Sequence, residues 1–129
     1  MKSIKSILLV LVLTSFTQLN AQKILEKWQD LDNVNQIYSK VMFVANEGNL
    51  EILPKYTVIL KDYTEKLSEK NVPKDLSAAS VSDMIKSLKT EAATLNEAAT
   101  NLKSKEETFK YLKSFGESLN KLISSAKLE

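Results

Sequence analysis

The chain has 129 residues, among them 18 lysines, 16 acidic residues, two glycines and two prolines, and it contains no cysteine, histidine or arginine. The lack of cysteine excludes disulfides and zinc–thiolate sites, and the lack of histidine removes the commonest general base and transition-metal ligand. Strand-rich folds need frequent turn residues, which are scarce here, so the composition predicts a single all-α domain.

The N-terminus has the pattern of a secretory signal peptide. Lys2 and Lys5 precede an unbroken apolar run over residues 7–13, and Ala21 places a small residue at the cleavage position. The alternative is an uncleaved membrane anchor, but the apolar run is shorter than the roughly 20 residues that cross a bilayer. We therefore expect a signal peptide over the first 21 residues and one exported domain over residues 22–129.

Cleavage after Ala21 would change the charge of the protein. The Asn20-Ala21-Gln22 junction resembles those of bacterial envelope proteins, which agrees with export to the periplasm or the medium. Loss of Lys2 and Lys5 takes the 18 lysines to 16, which equals the number of acidic residues, so the mature net charge would be zero. A neutral protein without arginine is not predicted to bind nucleic acid.

The first amphipathic helix is predicted over residues 23–46. Gly48 can close this helix in a left-handed conformation, and Asn49 can cap the next one. The apolar residues recur at steps of three or four, at Ile24, Trp28, Leu31, Val34, Tyr38, Val41 and Ala45.

The second helix is predicted over residues 50–70. Pro54 fits the first turn of such a helix, and otherwise the helix begins at Pro54 itself. The break at residues 71–75 is expected to be the longest connection, with room for a short helical turn around Leu76. The apolar stripe consists of Leu53, Tyr56, Leu60, Tyr63 and Leu67, widened by Ile52 and Ile59.

The third helix, predicted over residues 81–102, has the most regular stripe of the chain. Ser80 and Asp83 form a candidate capping pair before it. Ala92 and Ala99 make the stripe narrow, which allows a neighbouring helix to approach closely. The stripe residues are Val81, Ile85, Leu88, Ala92, Leu95, Ala99 and Leu102.

The fourth helix is predicted to begin after Ser104, which forms a capping-box candidate with Glu107. Gly116 lies inside this helix, where glycine is unfavourable by about 1 kcal/mol relative to alanine. The alternative is that the third and fourth helices form one long rod, since neither glycine nor proline separates them. The apolar residues are Phe109, Leu112, Phe115, Leu119, Leu122 and Ala126.

Four such stripes predict an up-down-up-down four-helix bundle that follows an N-terminal signal peptide. In size, export and architecture this prediction resembles the small periplasmic four-helix cytochromes. That resemblance implies haem held through histidine or cysteine, and the chain has neither residue. We therefore predict no cofactor and no metal, and no transmembrane span in the mature chain.

The charged residues do not indicate a catalytic site. The stretch over residues 30–35 has acidic residues at its first and third positions, as a calcium loop does, but Asn35 stands where that loop has its glycine, and the segment lies within a helical apolar pattern. Acidic residues such as Asp62 and Glu65 alternate with lysines, which is typical of a solvated helix face. The protein is accordingly predicted not to be an enzyme.

Two functions from different classes remain open. The first is a helical interaction protein that binds a partner protein or a second copy of itself. The second is a small carrier that binds an apolar ligand in the core of the bundle. An empty apolar cavity of about 300 Å³ or more in the core would favour the carrier, whereas a filled core would favour the interaction protein.

Two apolar residues fall off the predicted stripes and are candidates for partner contact. Residues 41–45 are all apolar, but one helix face accommodates three of them at most, because successive residues are rotated by about 100°. Phe43 then points most nearly away from the core. Val58 has a similar position on the second helix, so both residues are predicted to belong to one contact surface.

Overall fold

The computed structural model describes residues 18–73, 76–77, 81–101, 104–125 and 127–128, and this part of the chain is helical apart from its connections and one pair of two-residue strands. The predicted all-α class is confirmed. Residues 1–17, the Ser80 cap, Leu102 and Ala126 lie outside the described part. The helices are α1 (Gln18–Lys27), α2 (Gln29–Asn46), α3 (Leu53–Glu65), α4 (Val81–Thr100) and α5 (Lys105–Ser125).

The first predicted helix is divided at Trp28, so the single helix over residues 23–46 is a wrong prediction. Trp28 leaves helical geometry with φ −116° and ψ 86°, while its amide still donates to the Ile24 carbonyl and its carbonyl accepts from Asp32. Ile24 and Trp28 are both buried, and α1 contacts α5 as well as α2. The bend at Trp28 therefore lies where α1 packs against both α2 and α5.

The turn between α2 and α3 confirms the role predicted for Gly48. Its φ of +78° is in the left-handed region, and its amide donates to the carbonyl of Ala45 at 3.0 Å. The helix α3 begins at Leu53, so Pro54 lies in the first turn, where a missing N–H costs nothing. Asn49 does not cap α3, because Ile52 occupies the N-cap position and makes no side-chain capping bond.

Helix α3 ends at Glu65, five residues before the predicted boundary. Polar side chains after it compete with helical hydrogen bonding, since the Ser68 hydroxyl accepts from the Lys70 amide and the Asn71 amide group donates to the Lys66 carbonyl at 2.9 Å. A short 3₁₀ helix follows at Glu69–Asn71. Leu76 and Ser77 are extended, not helical.

A pair of two-residue strands joins the middle of the chain to its C-terminal end by hydrogen bonds. Strand β1 (Leu76–Ser77) pairs antiparallel with strand β2 (Lys127–Leu128), with Leu76 opposite Leu128. The helical turn proposed around Leu76 is therefore wrong. The pairing brings the end of α5 next to the connection between α3 and α4.

Helices α4 and α5 are separate helices packed against each other, so the single-rod alternative is wrong. The capping residue Ser104 has its predicted role, because its hydroxyl accepts a hydrogen bond from the Glu107 amide at 3.1 Å. Helix α4 ends at Thr100 and α5 begins at Lys105, so the chain reverses between them although neither glycine nor proline is present there.

The core follows most of the predicted stripes. Helix α1 contacts α2 and α5, and contacts also join α2 to α3, α3 to α4, α4 to α5 and α2 to α5. None of the helices in the described residues is long and apolar enough to cross a membrane. The predicted stripe residues found buried are Ile24, Trp28, Leu31, Val34, Val41, Ala45, Leu53, Leu60, Leu67, Ile85, Leu88, Ala92, Leu95, Ala99, Leu112, Phe115, Leu119 and Leu122.

The buried face of α3 differs from the prediction. Thr57 and Thr64 are fully buried between the leucines of the stripe, while Tyr56 and Tyr63 are only partly buried. Ile59, predicted to widen the core stripe, is 39% exposed. The Thr57 hydroxyl bonds to the side chain of Asn96 on α4, and the Thr64 hydroxyl bonds to the Leu60 carbonyl, so both polar groups are satisfied.

Candidate contact surface

Phe43 lies on the outer face of α2, as its position in the sequence predicts. Its neighbours in sequence, Val41 and Val44, both point inward and are buried. The helical rotation of about 100° per residue then leaves Phe43 with 66% of its surface exposed. This is the most exposed large apolar side chain in the described part of the protein.

The adjoining face of α3 carries a second apolar row. Ile52, Tyr56, Ile59 and Tyr63 follow one another at steps of four, three and four, which places them on one side of the helix. They flank the core residues without being fully buried themselves. The apolar surface of α3 is therefore wider than the part of the helix that is buried against α2 and α4.

An open groove of about 630 Å³ lies between these two faces. Its lining residues come from the second half of α2, from the turn after it and from the start of α3. Four of them are apolar or aromatic and four are polar or charged. The lining residues are Ser39, Lys40, Phe43, Val44, Glu47, Asn49, Ile52 and Tyr56.

The charges around the groove are one lysine and one glutamate. Lys40 and Glu47 lie on the same side of α2 as Phe43, and both are exposed. They are seven residues apart, or about 10.5 Å along the helix axis, which is too far for a direct ion pair. Neither forms a salt bridge within the described residues.

Val58 is exposed, as predicted, but it is not part of this groove. It exposes 42% of its surface. It lies two positions after Tyr56, a rotation of about 200° around α3, so the two side chains leave the helix on nearly opposite sides. The structure thus places Phe43 in an apolar groove and leaves Val58 as an isolated exposed residue.

The acidic residues singled out in the sequence are surface groups. Asp62 and Glu65 are exposed, and Glu65 lies 3.8 Å from Lys61 in an exposed ion pair. Asp32 accepts a hydrogen bond from Gln36 one helical turn away, at 2.8 Å. The described residues contain no cluster of three or more histidine, cysteine or acidic side chains that could hold a metal.

A second, shallower depression lies on the outer side of α4. It has a volume of about 280 Å³ and is lined by Lys86, Ser87, Thr90 and Glu91. One carboxylate oxygen of Glu91 accepts from the Ser114 hydroxyl at 3.1 Å, and the other is buried without a partner. No residue of the buried core lines this depression, whereas one core residue, Val44, lines the groove at Phe43.

Sequence reasoning identified Phe43 but missed the rest of the groove. Ile52 and Tyr56 were assigned to the core stripe, although the row from Ile52 to Tyr63 already has its own regular spacing. The placement of Lys40 and Glu47 on either side of Phe43, at steps of three and four, was a second signal in the sequence.

Comparison with known proteins gives no relative for this chain. No protein-family model matches it, and no curated protein and no solved structure matches it significantly. The properties of the surface itself are therefore the basis for assigning a function.

Proposed function

We propose that this protein is a non-enzymatic helical interaction protein that binds its partner through the groove between α2 and α3. The observation that carries the proposal is the exposure of Phe43 beside an apolar groove of about 630 Å³. Single exposed apolar residues are common on soluble proteins, but an apolar ring at the edge of an apolar groove is typical of a contact site.

The scaffold proposed for this surface is an up-down-up-down bundle of α2 to α5. Helices α2 and α3 contact each other and are joined by a connection of only six residues, which supports an antiparallel arrangement of the two. The order of helix contacts around the core supports the same arrangement for the remaining helices.

We further propose that the protein acts outside the cytoplasm, in the periplasm or the medium. The support is the pattern of the first 21 residues, with Lys2 and Lys5 ahead of an apolar run and Ala21 at the cleavage position. The absence of cysteine means that the fold does not depend on an oxidising environment.

The substitution Phe43→Ser tests the contact surface. We expect the variant to keep the helical circular dichroism of the wild type, because the side chain is mostly exposed, and to lose at least about tenfold in association, as an interfacial aromatic residue usually does. Sedimentation measures self-association, and capture from envelope extract measures binding to a foreign protein.

Val58→Ser is the matched control for this experiment, since it also replaces an exposed apolar residue with serine but lies outside the groove. It is expected to retain full association. Equal loss in both variants would contradict a contact surface at the groove, and so would unchanged association in both.

The alternative function, a carrier with an apolar ligand in the core, has less support. The groove exceeds the volume that such a ligand needs, but it is open, and only one of its lining residues, Val44, belongs to the buried core. The narrow positions of α4, Ala92 and Ala99, are buried by neighbouring helices. Saturable binding of an apolar fluorescent probe that persists in Phe43→Ser would favour the carrier.

A further inference from the structure

We propose that the partner at this groove is a second copy of the same chain, related by a two-fold axis that passes between Phe43 and Val44 of the two α2 helices. This inference rests on the proposed contact function of the groove and names its partner. In the dimer the two α2 helices run antiparallel, and each Phe43 ring enters the groove of the other copy.

Under this symmetry, the positive charge beside Phe43 in one copy faces the negative charge beside Phe43 in the other. Lys40 lies three residues before Phe43, and Glu47 lies three residues after Val44. An antiparallel pair centred between Phe43 and Val44 therefore places Lys40 of each copy opposite Glu47 of the other. A two-fold interface requires this kind of self-complementary patch, in which residue i meets residue j and j meets i.

These two charges are available for contacts between copies. Lys40 and Glu47 are exposed, and within the described part of the chain neither forms a salt bridge. A parallel arrangement of the same helices would instead bring like charges together at both positions. The charge pattern thus favours antiparallel pairing and opposes the parallel alternative.

The apolar groups also suit a symmetric pair. The groove offers Val44, Ile52 and Tyr56 to an incoming ring, and Phe43 is the side chain that protrudes beside it. A buried aromatic ring removes about 150–250 Å² from water, and the symmetry supplies two such rings. The net charge of +2 for the whole chain means that two copies repel each other only weakly.

The experiment uses two charge reversals, Lys40→Glu and Glu47→Lys, measured separately and as an equimolar mixture by sedimentation velocity. Each variant alone should associate at least about tenfold more weakly than the wild type, because its dimer has two like-charge pairs in place of two ion pairs. In the mixture, the glutamate introduced at position 40 of one variant meets the lysine introduced at position 47 of the other, and the remaining pair is native. The mixture should therefore recover association as a heterodimer.

A control for long-range charge effects is Lys55→Glu, which reverses an exposed lysine of α3 that does not line the groove. It should associate like the wild type. Circular dichroism of all variants establishes that the helices are intact. Phe43→Ser should again associate at least about tenfold more weakly than the wild type, and adding it to either charge-reversal variant should not restore that loss.

The outcomes separate this inference from the broader proposal. A wild-type dimer whose charge variants do not recover on mixing overturns the two-fold geometry. A wild-type protein that stays monomeric to millimolar concentration overturns self-association, and Phe43-dependent capture of a foreign protein would then leave the contact surface standing. Loss of every Phe43-dependent interaction would overturn both proposals.

Discussion

The hydroxyl of Tyr38 on α2 occupies the space that a side chain at position 116 of α5 would need. It donates a hydrogen bond to the Leu112 carbonyl at 3.0 Å, one turn before Gly116. A Cβ atom at position 116 would overlap the Tyr38 hydroxyl and would lie 2.9 Å from Cζ of its ring. Glycine in the middle of α5 is therefore what allows Tyr38 to connect the two helices.

Replacing this glycine gives the first prediction. In an unconstrained helix, Gly→Ala stabilises by about 1 kcal/mol, but Gly116→Ala should destabilise by about 1–3 kcal/mol because Tyr38 must shift. Tyr38→Phe should reduce that cost, since it removes the atom that overlaps most closely. Urea unfolding of the two single variants and the double variant measures the coupling, and Ser124→Ala on the exposed side of α5 is the control. A higher free energy of unfolding for Gly116→Ala would contradict the close contact.

The same tyrosine predicts how stability depends on pH. Burial raises the pKa of Tyr38 above its usual value of 10.0, and the negative charge of Glu117 raises it further. Above pH 10 the unfolded chain releases this proton while the folded chain retains it, so the free energy of unfolding falls as pH rises.

The decline attributable to Tyr38 should reach about 1.4 kcal/mol per pH unit above pH 10, and it should be absent below pH 9. The measurement is the difference in unfolding free energy between wild type and Tyr38→Phe across this range, since the lysines titrate equally in both proteins. A difference that stays constant from pH 8 to pH 11 would contradict the raised pKa.

The presence of the helices and most of their buried faces could be predicted from the sequence. Apolar residues that recur every three or four positions lie on one side of a helix, and this spacing depends on helix geometry alone. The stripe of α4 from Ile85 to Ala99 is an example, since all its predicted residues are buried. The cap at Ser104 could be predicted for the same reason, because the bond between its hydroxyl and the Glu107 amide is local in sequence. Such features depend on no distant partner.

The features that escaped prediction depend on residues far away in the sequence. Helix α1, on the N-terminal side of the break at Trp28, packs on α5 as well as α2. The buried Thr57 bonds to Asn96 on another helix. Gly116 looks unfavourable until the position of Tyr38 is known. The groove at Phe43 was missed in the same way, since it exists only where two helices meet.

The buried threonines of α3 give a prediction with an internal control. Thr57 and Thr64 are both fully buried. The Thr57 hydroxyl lies 2.8 Å from the Asn96 side-chain oxygen on α4 and 3.3 Å from the Pro54 carbonyl, whereas the Thr64 hydroxyl donates to the Leu60 carbonyl of its own helix. Thr57→Val should cost about 1 kcal/mol through the lost contact between helices, and Thr64→Val should cost less, because that carbonyl belongs to the helix itself.

Thermal unfolding of the two valine variants measures this difference, and the double variant Thr57→Val with Asn96→Ala determines how much of the cost belongs to the pair. Equal effects of Thr57→Val and Thr64→Val would show that the bond to Asn96 contributes nothing to stability.

The narrow positions of α4 lead to a prediction about packing. Ala99 is buried and Ala93, on the same helix, is exposed. Ala99→Leu should lower the free energy of unfolding by about 1–3 kcal/mol, because the larger side chain has to displace a neighbouring helix. Ala93→Leu adds the same atoms where there is room, and its effect should stay within about 0.5 kcal/mol. An unchanged or raised melting temperature for Ala99→Leu would contradict close packing at this position.

The last prediction concerns the proposed export of the protein and its N-terminus. The expected cleavage before Gln22 falls inside α1, which begins at Gln18, and it would leave the buried residues Ile24 and Trp28 in place. The shortened helix keeps both of its core contacts, so the folded domain should tolerate the cut. Mass spectrometry of the exported protein should give a chain that starts at Gln22, in part cyclised to pyroglutamate. Ala21→Trp should block processing, because the cleavage position requires a small residue. An exported protein that retains the first 21 residues would contradict the signal peptide.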